Sequence, residues 1–183
     1  QGGRNTLGGN VLFTAEGDSI KQYNLNGTRQ WSTSIITPST IAPDILMAAD
    51  SSLNIYIAGR HPMPSPSEQS IVIKKYNSAG AFIWERNHHP SSGLDVPYAF
   101  ALDDSANIYV LGTQDWQNNP AYTLVKYDSA GAQKWTKSYS VPLGATGHDL
   151  VVDIEHNVYV SGRTTTSGGS DYSVVKYDIN GNF

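Results

Sequence analysis

The sequence predicts an all-β fold: a β-propeller-type repeat of four-stranded antiparallel blades. Three observations lead there. The same residues return at a period near 50, each period holds four strand-like runs punctuated by turn residues, and helix signals are nearly absent. A fixed period of that length marks solenoids, propellers and arrays, and four short antiparallel strands per period suit a propeller blade.

The period is read from its anchors. A first Tyr recurs as Tyr23, Tyr76, Tyr127 and Tyr177, at intervals of 53, 51 and 50. Four residues beyond each stands Gly27, Gly80, Gly131 or Gly181, and eight beyond the first three stand Trp31, Trp84 and Trp135. An Asp follows (Asp50, Asp103, Asp153), then Asn54, Asn107 or Asn157, a second Tyr (Tyr56, Tyr109, Tyr159) and a second Gly (Gly59, Gly112, Gly162). The slack lies only between Trp and Asp and between the second Gly and the next Tyr.

Each unit therefore offers strands a to d. Strand a is Ile20–Tyr23, Ile71–Tyr76, Thr123–Tyr127 and Ser173–Tyr177; b surrounds the Trp, c ends at the Asp, and d carries the second Tyr. Each a–b turn opens with Asn or Asp, whose side chain caps the turn, and closes on a Gly that accepts positive φ. The c–d turns open with Asp and close with Asn, which tolerates the left-handed region. The prolines fall in the variable connections, where no ladder hydrogen bond is lost. Asn10–Ala15 matches strand d (compare Asn54–Gly59), so the chain enters in mid-unit. The expected organisation is a Gly-rich loose leader or linker over 1–9, then units of about 10–69, 70–121 and 122–171 and a partial unit 172–183: three complete blades plus end strands. Trp31, Trp84, Trp135 and the paired tyrosines are expected to fill the space between neighbouring blades.

Bulk properties narrow the function. A net charge of −4 and pI near 5.6 argue against non-specific nucleic-acid binding. No cysteine is present, so disulfides and thiolate metal sites are excluded. No apolar run reaches the ~18 residues of a membrane helix. No leader is visible, as in a secreted protein whose signal peptide has been removed.

The alternation of turns and connections puts every long variable loop on one rim, the expected place for binding. Candidates there are Trp116 beside Asp115, the one Trp outside the repeat and suited to stacking on a sugar or a partner, with His61, His88, His89, Arg60 and Arg163. Adjacent histidines point in different directions and no spaced ligand set accompanies them, so no metal site is expected. No Ser-His-Asp order, phosphate loop or paired carboxylate stands out, so neither catalytic residues nor a cofactor are assigned. Asn26-Gly27-Thr28 is a glycosylation sequon as well as a tight turn. Lys75, Lys126 and Lys176 lie one residue before the first Tyr, facing the opposite way. Buried there, each is expected to pair with the repeat Asp.

Asp171-Tyr172-Ser173-Val174-Val175-Lys176-Tyr177-Asp178-Ile179-Asn180-Gly181-Asn182, with Val152-Asp153 and Asn157-Val158-Tyr159-Val160-Ser161-Gly162, resembles the bacterial SBBP repeat of seven-bladed β-propellers. The resemblance covers Asn10 to the end. It implies an extracytoplasmic bacterial protein and carries no general activity; where the family usually has Gly before the turn Asn, this chain has Leu53, Ala106 and His156. A weaker likeness, of Leu12–Asp18 and Asn26–Trp31 to the tryptophan-docking repeat of quinoprotein propellers, implies shared architecture only. The expected function is a non-enzymatic extracellular or cell-surface scaffold for binding or assembly, open to polymer formation. The alternatives are a carbohydrate-binding loop rim and a portion of a quinoprotein- or lyase-type enzyme. Beginning on an outermost strand d and ending on an innermost strand a, the chain is expected to self-associate head-to-tail by strand or blade completion, into rings or filaments.

Overall fold

The β-branched and aromatic runs of the repeat form strands, as their fit to a pleated, half-buried surface dictates. A computed structural model describes residues 4–8, 10–16, 18–35, 45–62, 69–88, 96–114 and 120–183. Among them every regular element is a strand, paired antiparallel within four sheets. The first sheet holds β1 (Arg4–Gly8), β2 (Val11–Glu16), β3 (Ser19–Asn24) and β4 (Arg29–Ser34); the second β5 (Leu46–Ala49), β6 (Ile55–Pro62), β7 (Gln69–Tyr76) and β8 (Phe82–His88). The third holds β9 (Val96–Leu102), β10 (Ile108–Gln114), β11 (Ala121–Tyr127) and β12 (Gln133–Tyr139). The fourth has three: β13 (Ala145–Val152), β14 (Val158–Thr166) and β15 (Gly169–Tyr177). This is the β-propeller-type architecture, and the sheets are its blades.

The blades are cut at a different point of the repeat from the one the sequence suggests. The first three sheets run c-d-a-b and the fourth c-d-a, so c–d, d–a and a–b are hairpins within a blade and only b–c crosses to the next. The c strands β1, β5, β9 and β13 pack against one another in series and are the inner strands. Strand d is therefore second and a third, not outermost and innermost. A period fixes spacing but carries no mark of where one sheet stops, which explains the error.

Two corrections follow at the first blade. Arg4–Gly8, expected as loose leader, is an inner strand paired with β2 from Arg4↔Ala15 to Gly8↔Val11. Its backbone supplies the ladder although its sequence shows no apolar–polar alternation. The match of Asn10–Ala15 to Asn54–Gly59 also slips by one residue. Phe13 faces Gln22 across the ladder, as Tyr56 faces Lys75 and Tyr109 faces Lys126. Phe13, not Leu12, thus stands at the second-Tyr position, and a period-2 strand changes faces with a single-residue slip.

The cores lie between blades. The leading face of each sheet meets the trailing face of the next: Tyr56, Ala58, Ile71 and Ile73 of the second pack on Ile108, Val110, Val125 and Tyr127 of the third. Tyr109, Leu111, Tyr122 and Leu124 of the third pack in the same way on Val158, Val160, Val175 and Tyr177 of the fourth. Each Trp touches its blade's second aromatic, with Phe13–Trp31, Tyr56–Trp84 and Tyr109–Trp135 centroids 6.0, 6.3 and 6.1 Å apart. The repeat aromatics therefore fill the space between blades, as expected.

Candidate functional site

The hairpin rim shows how the repeat spends its polar groups. In each c–d turn one oxygen of Asp50, Asp103 or Asp153 accepts two backbone N–H groups. The other accepts the Asn amide and the second Tyr hydroxyl. Leu53, Ala106 and His156, not the Asn after them, take the left-handed conformation, with φ of 63°, 57° and 62°. Such residues cost about 1–3 kcal/mol each unless held; the four-fold acceptance by the Asp is what holds them. Leu53 and Ala106 then lean on the core shared with the preceding blade.

The a–b turns receive the previous blade. Trp31 Nε1 donates to the Ser78 carbonyl at 3.1 Å, and Trp135 Nε1 to that of Ile179 at 3.1 Å. Lys75 Nζ donates to the Ser129 carbonyl at 2.9 Å and Lys126 Nζ to that of Ile179 at 3.3 Å. Each ammonium also lies 5.0 Å from the ring centre of its blade's second Tyr. The expected Lys–Asp pairing is corrected: the Asp is already saturated by its own turn, so the lysine finds a carbonyl one blade on and the aromatic face of its own blade. Burial lowers the Lys126 pKa, and the charge of nearby Asp103 only opposes that.

One turn differs. His156 Nδ1 lies 3.1 Å from Asp103 Oδ2, and its Nε2 lies 3.8 Å from Asp104 Oδ1, joining the third and fourth blades. These three residues place ligand atoms within 4.8 Å of one another. Asp103 Oδ2, however, already faces Asn107, Tyr109 and His156, which leaves no free lone pair for a cation. Burial raises the pKa of Asp103, but the bonds from Asn107, Tyr109 and His156 outweigh it and hold the carboxyl below its ordinary 3.8. Asp128 is lowered by the Lys134 ammonium and then by its turn bonds, and Asp153 and Asp178 by their turn bonds. A depressed carboxylate adds stability that is complete above its unfolded value and lost as pH falls through the folded one. The melting temperature should therefore hold at mild acidity and drop below pH of about 4, and Asp103→Asn should shallow that drop. Thermal melts with no acid-side loss would show that these turns do not depend on ionised Asp.

The structure disperses the sequence's candidates. His88 is buried between the second and third blades, its Nδ1 3.4 Å from the Tyr127 hydroxyl, and is not on an open rim. Arg60 and Arg163 occupy equivalent strand positions, paired with Ile71 and Tyr172, on leading sheet faces rather than loops. Arg60 is half-buried against the third blade; Arg163 is exposed. Asn26 is at the exposed tip of the β3–β4 turn, its N–H donating to Asn24 Oδ1. Asp115, Trp116 and His89, and the side chain of His61, lie outside the described residues. A recess of about 420 Å³ between Tyr139, Tyr177 and Phe183 is lined by the terminal turn.

What the sequence reading missed is the leading face of the fourth sheet. Tyr172 is 99% exposed, while Tyr122 at the same position one blade earlier is 1% exposed; Val174 is 72% exposed, against 0% for Leu124 and Ile73. The signal was present in the register: Arg163↔Tyr172, Ser161↔Val174 and Tyr159↔Lys176 repeat Thr113↔Tyr122, Leu111↔Leu124 and Tyr109↔Lys126.

No family model matches the chain, and no curated protein does. Solved structures are similar in fold. A protein of unknown function from Bacteroides caccae superposes with a TM-score of 0.52 at 10% identity, over 95% of this chain and 55% of that one. The endo-arabinase from Bacteroides thetaiotaomicron gives 0.50 at 13%, over 99% and 76%. A glycoside hydrolase gives 0.52 at 10%, over 98% and 47%. This chain spans about half the length of the first and third of these.

Proposed function

We propose that the chain is a non-enzymatic scaffold working outside the bacterial cytoplasm, a binding or assembly module whose ligands meet the variable-loop rim. One observation carries this reading: the repeat's own chemistry is spent on architecture. Asp50, Asp103 and Asp153 close their own turns, while Lys75, Lys126, Trp31 and Trp135 fasten one blade to the next. Recognition then falls to the loops that differ between units, as on other rigid scaffolds. Burial pushes the Tyr76 and Tyr127 hydroxyls up to about 12, so they stay neutral and serve packing rather than proton transfer.

A carbohydrate-directed rim, or a portion of a propeller enzyme, is the second reading. It draws on the endo-arabinase and the glycoside hydrolase among the structures of similar fold. Incubation with arabinan and probing on a glycan array separate the two. The scaffold reading expects no release of reducing ends. Glycan binding without turnover, weakened by about 2 kcal/mol or more in Trp116→Ala, would establish a carbohydrate-binding rim. Turnover above the uncatalysed rate would replace the scaffold by an enzyme.

A further inference from the structure

We propose that His156 is a proton-dependent latch between the third and fourth blades: as an imidazolium it binds Asp103 and Asp104 through both ring nitrogens, and as a neutral imidazole it holds Asp103 alone. The latch is independent of the loop-rim reading, because it lies on the opposite, hairpin rim.

The turn itself does not require a histidine. Leu53 and Ala106 occupy the same position with the same left-handed φ, and each leans on an apolar core. His156 instead reaches the carboxylates of the preceding blade, with Nδ1 3.1 Å from Asp103 Oδ2 and Nε2 3.8 Å from Asp104 Oδ1. The Asp103 side chain is 1% exposed and the imidazole 24%, so solvent screens their attraction only in part; Asp104, at 76%, stands in water.

This geometry distinguishes the two charge states of the ring. The Asp103 oxygen that faces His156 also accepts from Asn107 and Tyr109, and those bonds keep the carboxyl ionised at mild acidity. An ionised carboxylate only accepts, so a neutral His156 must carry its one proton on Nδ1. Its Nε2 then turns a lone pair towards Asp104 and attracts nothing there. A second proton makes Nε2 a donor and places a positive charge between two carboxylates. The remaining charged neighbours are Asp153 and Glu155 of its own turn, with Lys176 beside them, and Lys126 beside Asp103. With Asp103 and Asp104 they make four carboxylates against two ammonium groups, a negative surrounding that favours the charged ring. Charging it therefore tightens the seam. The gain is complete below the range in which histidine ordinarily titrates and is lost as pH rises through that range.

Urea unfolding of the 183-residue chain at about pH 8 and about pH 5, the ends of that range, tests the latch. Between the two, wild type should gain about two- to fivefold in its folding equilibrium constant relative to His156→Leu, as a partly exposed ion pair allows. Leucine stands at this position in the second blade, so the variant keeps the turn. Asp104→Asn leaves Asp103 and the His156 turn in place and removes only the Nε2 arm. Wild type should gain on it in the same direction by a smaller factor, a comparison that stands even where His156→Leu does not fold. A ratio of wild type to either variant that is the same at both pH values would overturn the proposal, and so would a gain on either variant towards pH 8.

Discussion

Tyr122→Ala should destabilise the chain by about 3–5 kcal/mol, the cost of truncating a fully buried aromatic, whereas Tyr172→Ala should leave monomer stability within about 0.5 kcal/mol. The two tyrosines occupy the same place in consecutive repeats. Tyr122 packs under the fourth sheet, its ring centre 5.1 Å from that of Tyr139 and its hydroxyl 3.4 Å from that of Tyr177. Its replacement leaves both a cavity and a stranded hydroxyl in the core shared by the third and fourth blades. Tyr172 is 99% exposed and has no packing to lose. Urea unfolding of both variants measures the difference. Equal losses would mean that the fourth sheet's leading face is covered within the monomer; equal indifference would mean that the third and fourth blades do not pack.

Gly112→Ala should cost about 3 kcal/mol, at the upper end for overpacking a core, while Gly59→Ala should be nearly neutral. Both are the second Gly of the repeat, on strand d. A Cβ on Gly112 would stand 2.9 Å from the Val96 carbonyl oxygen and 2.6 Å from Ile71 Cδ1. The ladder shifts register at that point, between Leu111 and Gly112, bringing the inner strand β9 across the glycine. Gly162 meets the Thr146 backbone in the same way, opposite the shift between Gly147 and Asp149. Around Gly59 the nearest atom is Ile45 Cγ1 at 3.9 Å, an ordinary contact. The restriction is steric, since neither Gly59 nor Gly112 is among the positive-φ glycines. Chemical denaturation of the two variants side by side would show it, and equal costs would remove the bulge as the cause.

Much of this was legible in the sequence. The spacing of Tyr, Gly, Trp, Asp and Asn located the strands and the glycine turns, because hairpins tolerate no change of length. It did not locate the blade boundary: the same spacings hold whether a sheet is cut a-b-c-d or c-d-a-b, and only the pairing of β5 with β6 and of β6 with β7 decides. Nor did it find β1, whose pairing is a backbone property. The Lys–Asp expectation failed through satisfaction. Asp103 is filled by Asn107, Tyr109 and His156, which a count of charges does not reveal. The equivalence of Tyr172 to Tyr122 was there to read, but its exposure depends on which sheet follows, and that is a tertiary fact.

The central claim is that the repeat aromatics mark blade-docking faces, three of which are filled among the described residues. Hydroxyl-radical footprinting of the tyrosines tests it most directly. Tyr56, Tyr109 and Tyr122 should be protected, while Tyr172, at the equivalent position to Tyr122 but exposed, should be labelled. Labelling of Tyr122 as strong as that of Tyr172, or protection of Tyr172, would contradict the account.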